Sequence, residues 1–259
     1  MLNDCLVVLI TTAVVPGPPA FVGELMGSAA HELDGLRDAT DRVVSRALCD
    51  LVTVLAGSPS LGPASVQLVV VGPGQPREFN AAGLVSFASF GRDVVLPALV
   101  DGHPGERDLP TSIMVARYLA SRDIATHPEH AELWASARWI TTSGADAKAL
   151  GEQLGADGTG FGLILVTDGA ACHGPKAPRA QDARAKAYDE GVCAALATGQ
   201  PSRLAQIDAD LGDELGATGS QVWPVLVGAA GSDRIGEVLW AGAPYGVGYA
   251  VASWRQSCG

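Results

Sequence analysis

Three stretches of this chain are almost wholly apolar, and each is too short for an ordinary helix. They are 6–15 (LVVLITTAVV), 66–71 (VQLVVV) and 161–166 (FGLILV). A strand with one wet face alternates apolar and polar residues, whereas a strand covered by helices on both faces does not. Each stretch ends in residues that stop a strand: Pro16-Gly17-Pro18-Pro19, then Gly72-Pro73-Gly74, then Asp168-Gly169. Between the first two, apolar residues recur at Leu36, Val43, Val44, Leu48, Leu51, Val52 and Leu55, the spacing of an amphipathic helix. Strand, helix and strand in that order form the unit of a mostly parallel sheet, so the chain is expected to be an α/β protein.

The rest of the chain extends this pattern. Residues 75–106 suggest short strands and surface loops. A helix is expected from Thr111 or Ser112, with one of them as its cap. A short helix near 129–135, a strand at 138–142 and a helix over 145–154 precede the third apolar run. Helices are expected over 182–197, 202–207 and 221–229. Residues 235–240 and 245–254 read as a closing antiparallel pair joined through Gly242-Ala243-Pro244. In the last strand Tyr245, Val247, Tyr249 and Val251 alternate with Gly246, Gly248, Ala250 and Ala252, so something must pack very close to its bare face. No linker, repeat or low-complexity tract divides the 259 residues, and one domain over 1–259 is expected.

Charge and cysteine usage narrow the function classes. A net charge of -11 leaves no basic face for phosphate, which argues against a nucleic-acid partner. Cys5, Cys49, Cys172, Cys193 and Cys258 are odd in number, scattered and without zinc spacing, as expected of a reduced compartment. The run at 6–15 has no Lys or Arg before it and is too short to span a bilayer. A soluble, cytoplasmic protein with no membrane partner is therefore expected.

Ligands of open parallel sheets bind beyond the strands' carboxyl ends. That edge gathers Gly17 and Pro18, Gly72 and Pro73, and Asp168, Gly169, Cys172 and His173 as candidate pocket residues. His173 is the candidate catalytic residue, a general acid/base or ligand-binding imidazole at the pocket mouth; a loop histidine before Gly174-Pro175 is the alternative. Asp168 can accept backbone N–H groups and shape its turn. Cys172 adjoins His173, but neighbouring side chains in extended backbone point apart, which disfavours a Cys–His nucleophile. Tyr245, in a Pro-Tyr-Gly turn, is a further candidate lining residue. His127 and His130 in HPEHAELW could share a helical face and bind a metal, whereas Pro128 favours a capped, solvated turn. No metal ligand is assigned.

Several of these features occur together in one known group. They are a first strand running into Gly17-Pro18-Pro19, a strand ending in a small-residue turn with His173, a helix with Tyr188-Asp189, and a C-terminal APYGVGYAVASW. In their order the chain resembles the class III extradiol dioxygenase B-subunit-like (LigB-like) superfamily, most closely its actinobacterial branch. The resemblance implies a three-layer α/β/α sandwich with a mostly parallel central sheet, to which the residues themselves add the antiparallel C-terminal strand pair. It also implies Fe(II) held by two histidines and a carboxylate, open on one side for catecholate and oxygen, with an acid/base histidine near position 173.

Here the ligand pattern departs from that family. Gly17 stands where a histidine commonly precedes Pro-Pro, Gly72-Pro73-Gly74 supplies none after the second apolar run, and Glu237 does not align with the family's carboxylate. The resemblance then implies a non-catalytic or repurposed member that binds a small molecule, an aromatic one among the candidates, with no cofactor expected. Three alternatives stay open. One is an active extradiol-type dioxygenase with Fe(II) at an atypical site, and another is a metal-independent hydrolase centred on His173. The third is an interaction subunit, as a homodimer or with a second chain.

Overall fold

The three apolar runs lie side by side in one sheet. The computed structural model describes residues 9–57 and 66–256; residues 6–8, Ser58, Pro59, Cys5 and Cys258 of the sequence reading fall outside them. Strand β1 (Leu9–Val15) leads through α1 (Gly23–Met26) into the long helix α2 (Asp34–Gly57). Then come β2 (Val66–Pro73), three small strands β3 (Arg77–Phe79), β4 (Val85–Ser86) and β5 (Val95–Leu96), and helix α3 (Thr111–Thr126). Helix α4 (Ala131–Ala135), strand β6 (Arg138–Thr142), helix α5 (Gly144–Ala156) and strand β7 (Gly160–Val166) follow. The chain continues through α6 (Ala185–Thr198), α7 (Pro201–Leu204), α8 (Ala209–Leu215) and α9 (Gly219–Ala230) to β8 (Ile235–Gly242) and β9 (Tyr249–Arg255).

The seven-stranded sheet runs β3-β6-β2-β7-β1-β9-β8, with β4 and β5 paired separately. The strands β6, β2, β7 and β1 are mutually parallel, while β3, β9 and β8 pair antiparallel to their neighbours. Successive side chains of a strand point to opposite faces. Ile164 and Val166 therefore join the core under α2 and α3, and Leu163 and Leu165 join the one under α5, α6 and α9. The result is a three-layer α/β/α sandwich with a mostly parallel central sheet and a C-terminal antiparallel pair.

The register fixes where the loops emerge. Val15 pairs with Val166, and Val71 with Leu165, so β1, β7 and β2 end nearly level. The chain leaves β1 and β2 toward α2 and α3 on one face, but leaves β7 toward α6 on the other. The carboxyl end of β7 is thus flanked on both sides by strands whose connections depart oppositely, where a crevice opens in folds of this class.

Some elements differ from their expected form. Pro110, not Thr111 or Ser112, occupies the N-cap of α3, without a side-chain cap, and Ser112 is buried. Helix α8 was not expected; the Asp208 carboxylate caps it by accepting the Leu211 N–H at 2.9 Å. The last strand begins at Tyr249 and not at Tyr245, because Pro244–Gly246 forms a 3-10 turn in which Tyr245 is left-handed (φ 57°). The close neighbour expected at its glycines is present. A Cβ at Gly248 would stand 1.8 Å from Asp189 Oδ2, and one at Gly246 would stand 2.5 Å from Ala177 Cα. Among the described residues, no helix is long and apolar enough to cross a membrane.

Candidate functional site

A cavity of about 470 Å³ opens at the crevice, and its walls come from the loops after β1, β2 and β7. Gly17, Pro18, Pro73 and Asp168 line it, joined by Thr111, Ser112, Thr218 and Tyr249. The loop after β1 is held from behind by the buried Arg37 guanidinium, which donates to the carbonyls of Phe21 (2.8 Å), Ala20 (3.3 Å) and Ala30. The loop after β7 is tied by Thr218, whose hydroxyl accepts the Asp168 N–H at 2.9 Å.

Asp168 is the one carboxyl among the lining residues. Its Oδ1 accepts the Gly17 N–H at 2.9 Å, so a single bond spans 151 residues and joins two of the three loops. Burial disfavours its charge and pushes its pKa up to about 6, against which the Gly17 N–H pulls only partly back. Close to neutral pH this carboxyl can therefore either donate or accept a proton. Burial, followed by the charge of Asp168, raises the pKa of Tyr249 and keeps its phenol protonated. Ser112 Oγ is buried and, among the described residues, has no hydrogen-bond partner.

His173 is not among the residues lining this cavity. Its Nε2 lies 2.6 Å from Asp189 Oδ2, and the other Asp189 oxygen accepts the Ala170 N–H at 2.9 Å. Burial is the main influence on Asp189 and raises its pKa, while the Ala170 N–H and His173 act against it. Asp189 is seated against Gly169 and Gly248, each too close for a side chain. A carboxylate that orients an imidazole is the arrangement used in proton transfer, but here the pair sits beside the wall of the cavity and not on it.

The remaining candidates are placed elsewhere. Cys172 is buried, and its Sγ–H points to the Leu215 carbonyl at 3.5 Å, with burial raising its pKa. It is therefore not directed at His173. Tyr245 is 39% exposed and donates to Glu32 Oε2 at 2.7 Å. Tyr249, four residues on, lines the cavity instead; the alternation in the sequence marked it, without separating it from Tyr245. Glu237 pairs with Arg46 on the outer strand β8. Gly72 is covered by Ser112, whose Oγ would be 2.3 Å from a Cβ built there.

These contacts bear on iron. A histidine at position 72 would collide with Ser112, and a Cβ at Gly17 already stands 3.0 Å from Val166 Cγ1. No imidazole is among the lining residues, whose donors are one carboxyl and several hydroxyls. That set does not fit the two-histidine, one-carboxylate centre implied by the resemblance.

His127 and His130 follow the far end of α3 from this edge, on the face built by α2 and α3. Together with Asp123 they form a group whose potential ligand atoms lie within 4.8 Å of one another. Asp123 was not singled out in the sequence, although it stands four residues before His127, one helical turn away.

No family model matches the chain, and no curated protein matches it. Among solved structures the chain is similar to an uncharacterized protein from Escherichia coli, with a TM-score of 0.42 and 13% identity over 95% of this chain and 99% of that one. A likeness at that level says nothing of the site.

Proposed function

We propose that the chain binds a small molecule in the cavity at the carboxyl ends of β1, β2 and β7, and that it is a repurposed member of the extradiol-dioxygenase-like group it resembles in sequence. The observation that carries this reading is Asp168, a half-buried carboxyl with its pKa raised to about 6, set in the wall of an open-mouthed cavity. At about 470 Å³ the cavity is in the range that holds a small organic ligand. Its prolines, Val166, Val247 and the Tyr249 ring offer apolar surface, and Asp168 and Thr218 offer the few convergent polar groups that orient a guest. A phenolic or other hydroxylated ring matches both: the ring packs on the apolar wall and its hydroxyl bonds to Asp168.

The test is a thermal-shift and calorimetric screen of phenols, catechols and hydroxybenzoates against the wild type and Asp168→Asn. The amide keeps an oxygen for the Gly17 N–H, so the variant is expected to fold. A hydroxylated aromatic that raises the wild-type Tm, and whose affinity drops at least about tenfold in Asp168→Asn, is the expected result. Equal affinity for both proteins, or no binding to either, overturns the proposal.

A further inference from the structure

Helices α2 and α3 bring a second set of chemically able side chains together, remote from the sheet edge. Asp123 is buried, with its side chain only 4% exposed, and its two oxygens are treated very differently. Oδ2 accepts the Trp134 indole N–H at 2.8 Å and meets His130 Nδ1 at 2.9 Å. Oδ1 is buried and, among the described residues, has no hydrogen-bond partner; His127 Nδ1 lies 3.5 Å from it. A buried carboxylate oxygen without a donor is costly unless some other charge reaches it.

The surroundings favour a cation. His130 turns its Nδ1 to the same carboxylate, and Cys49 Sγ lies 3.7 Å from its Nε2. Asp123, His127 and His130 each offer one donor atom to a common space, all within 4.8 Å of one another. The rings of His127 and His130 are stacked, 5.1 Å between centroids and 20° apart, so their edges run side by side. His127 also meets Ser45 Oγ at 3.2 Å and Thr126 Oγ1 at 2.9 Å, contacts that hold its ring in place. An ion with ligands at about 2.0–2.3 Å in tetrahedral array separates its donor atoms by roughly 3.3–3.8 Å. The 3.5 Å between Asp123 Oδ1 and His127 Nδ1 falls in that range.

We infer that Asp123, His127 and His130 form a binding site for a divalent first-row transition ion of the zinc class. Two imidazoles and one carboxylate supply three ligands and leave a position open. Asp123 and His127 also line a cavity of about 680 Å³ together with Ser45 and Cys49, so the ion has an entry path. The site shares no residue with the sheet-edge cavity, and its test is independent of that reading.

The experiment loads chelator-stripped, full-chain protein with Co(II), read by visible absorption, and with Zn(II), read by calorimetry. Uptake of one equivalent with tetrahedral Co(II) bands is expected. His127→Ala removes a ligand that is 35% exposed, so the fold is expected to survive, as circular dichroism of the metal-free protein would show. Its affinity is expected to fall about 100-fold or more. His31→Ala, at an exposed ring bonded to the Ser28 carbonyl, is expected to bind as the wild type does. Absence of uptake, uptake unchanged in His127→Ala, or equal loss in His31→Ala overturns the inference.

Discussion

Asp168 binds a proton more tightly in the folded protein than in the unfolded chain, since its pKa rises from 3.8 to about 6. An acid shifted upward favours the native state at low pH; that contribution is complete below about pH 4 and is lost as the pH rises through about 6. A shift of this size corresponds to about 3 kcal/mol. Asp168→Asn should remove that part of the pH dependence and leave a protein more stable than the wild type at pH 7. Urea midpoints at pH 4 and pH 7 for both proteins check this, and an unchanged difference between the two pH values would refute it. Asp189 is shifted in the same direction and remains in both proteins, so the comparison isolates Asp168. Gly248 poses a steric question at the same scale. A methyl group there would overlap Asp189 Oδ2 at 1.8 Å, so Gly248→Ala must displace the Asp189–His173 pair or strand β9. A loss of about 1–3 kcal/mol in denaturant unfolding is expected.

Between elements, the contact of α5 with α9 depends on two glycines. A Cβ at Gly151 would lie 2.1 Å from the Val225 carbonyl oxygen, and one at Gly228 would lie 2.6 Å from the Lys148 carbonyl oxygen. Alanine is the better helix former by about 1 kcal/mol, but these clashes are with backbone and no side-chain rotation relieves them. Gly151→Ala is therefore expected to destabilise the protein by about 1–3 kcal/mol despite its propensity; a rise in the thermal midpoint would contradict this. At this scale the sequence was most legible where burial is two-sided. The run at 161–166 could hardly be other than a central strand, and Gly17, Pro73 and Asp168 then had to emerge at its edge. Tyr245 was misplaced because its left-handed turn is one a tyrosine seldom adopts, and nothing local announces it. The pairing of His173 with Asp189 joins a loop to α6 and leaves no periodic trace. Helix α8 did carry signals, Asp208 before it and Gly216 after it, but its apolar residues are too few to stand out.

Across the molecule, the sheet couples both helical layers. Leu163 and Leu165 belong to one core and Ile164 and Val166 to the other, so neither layer can separate without stripping β7. A single urea transition, coincident by tryptophan fluorescence and circular dichroism, is expected; two separated transitions would show that the layers unfold independently. The strand order has a further consequence during synthesis. Strand β1 pairs with β7 on one side and β9 on the other, and both follow it by well over a hundred residues. At ribosomal rates β1 then waits roughly 10–50 s for β9 to emerge. For that interval the nascent chain carries an unpaired apolar edge, the kind of surface that chaperones shield and that adheres to other unfinished chains.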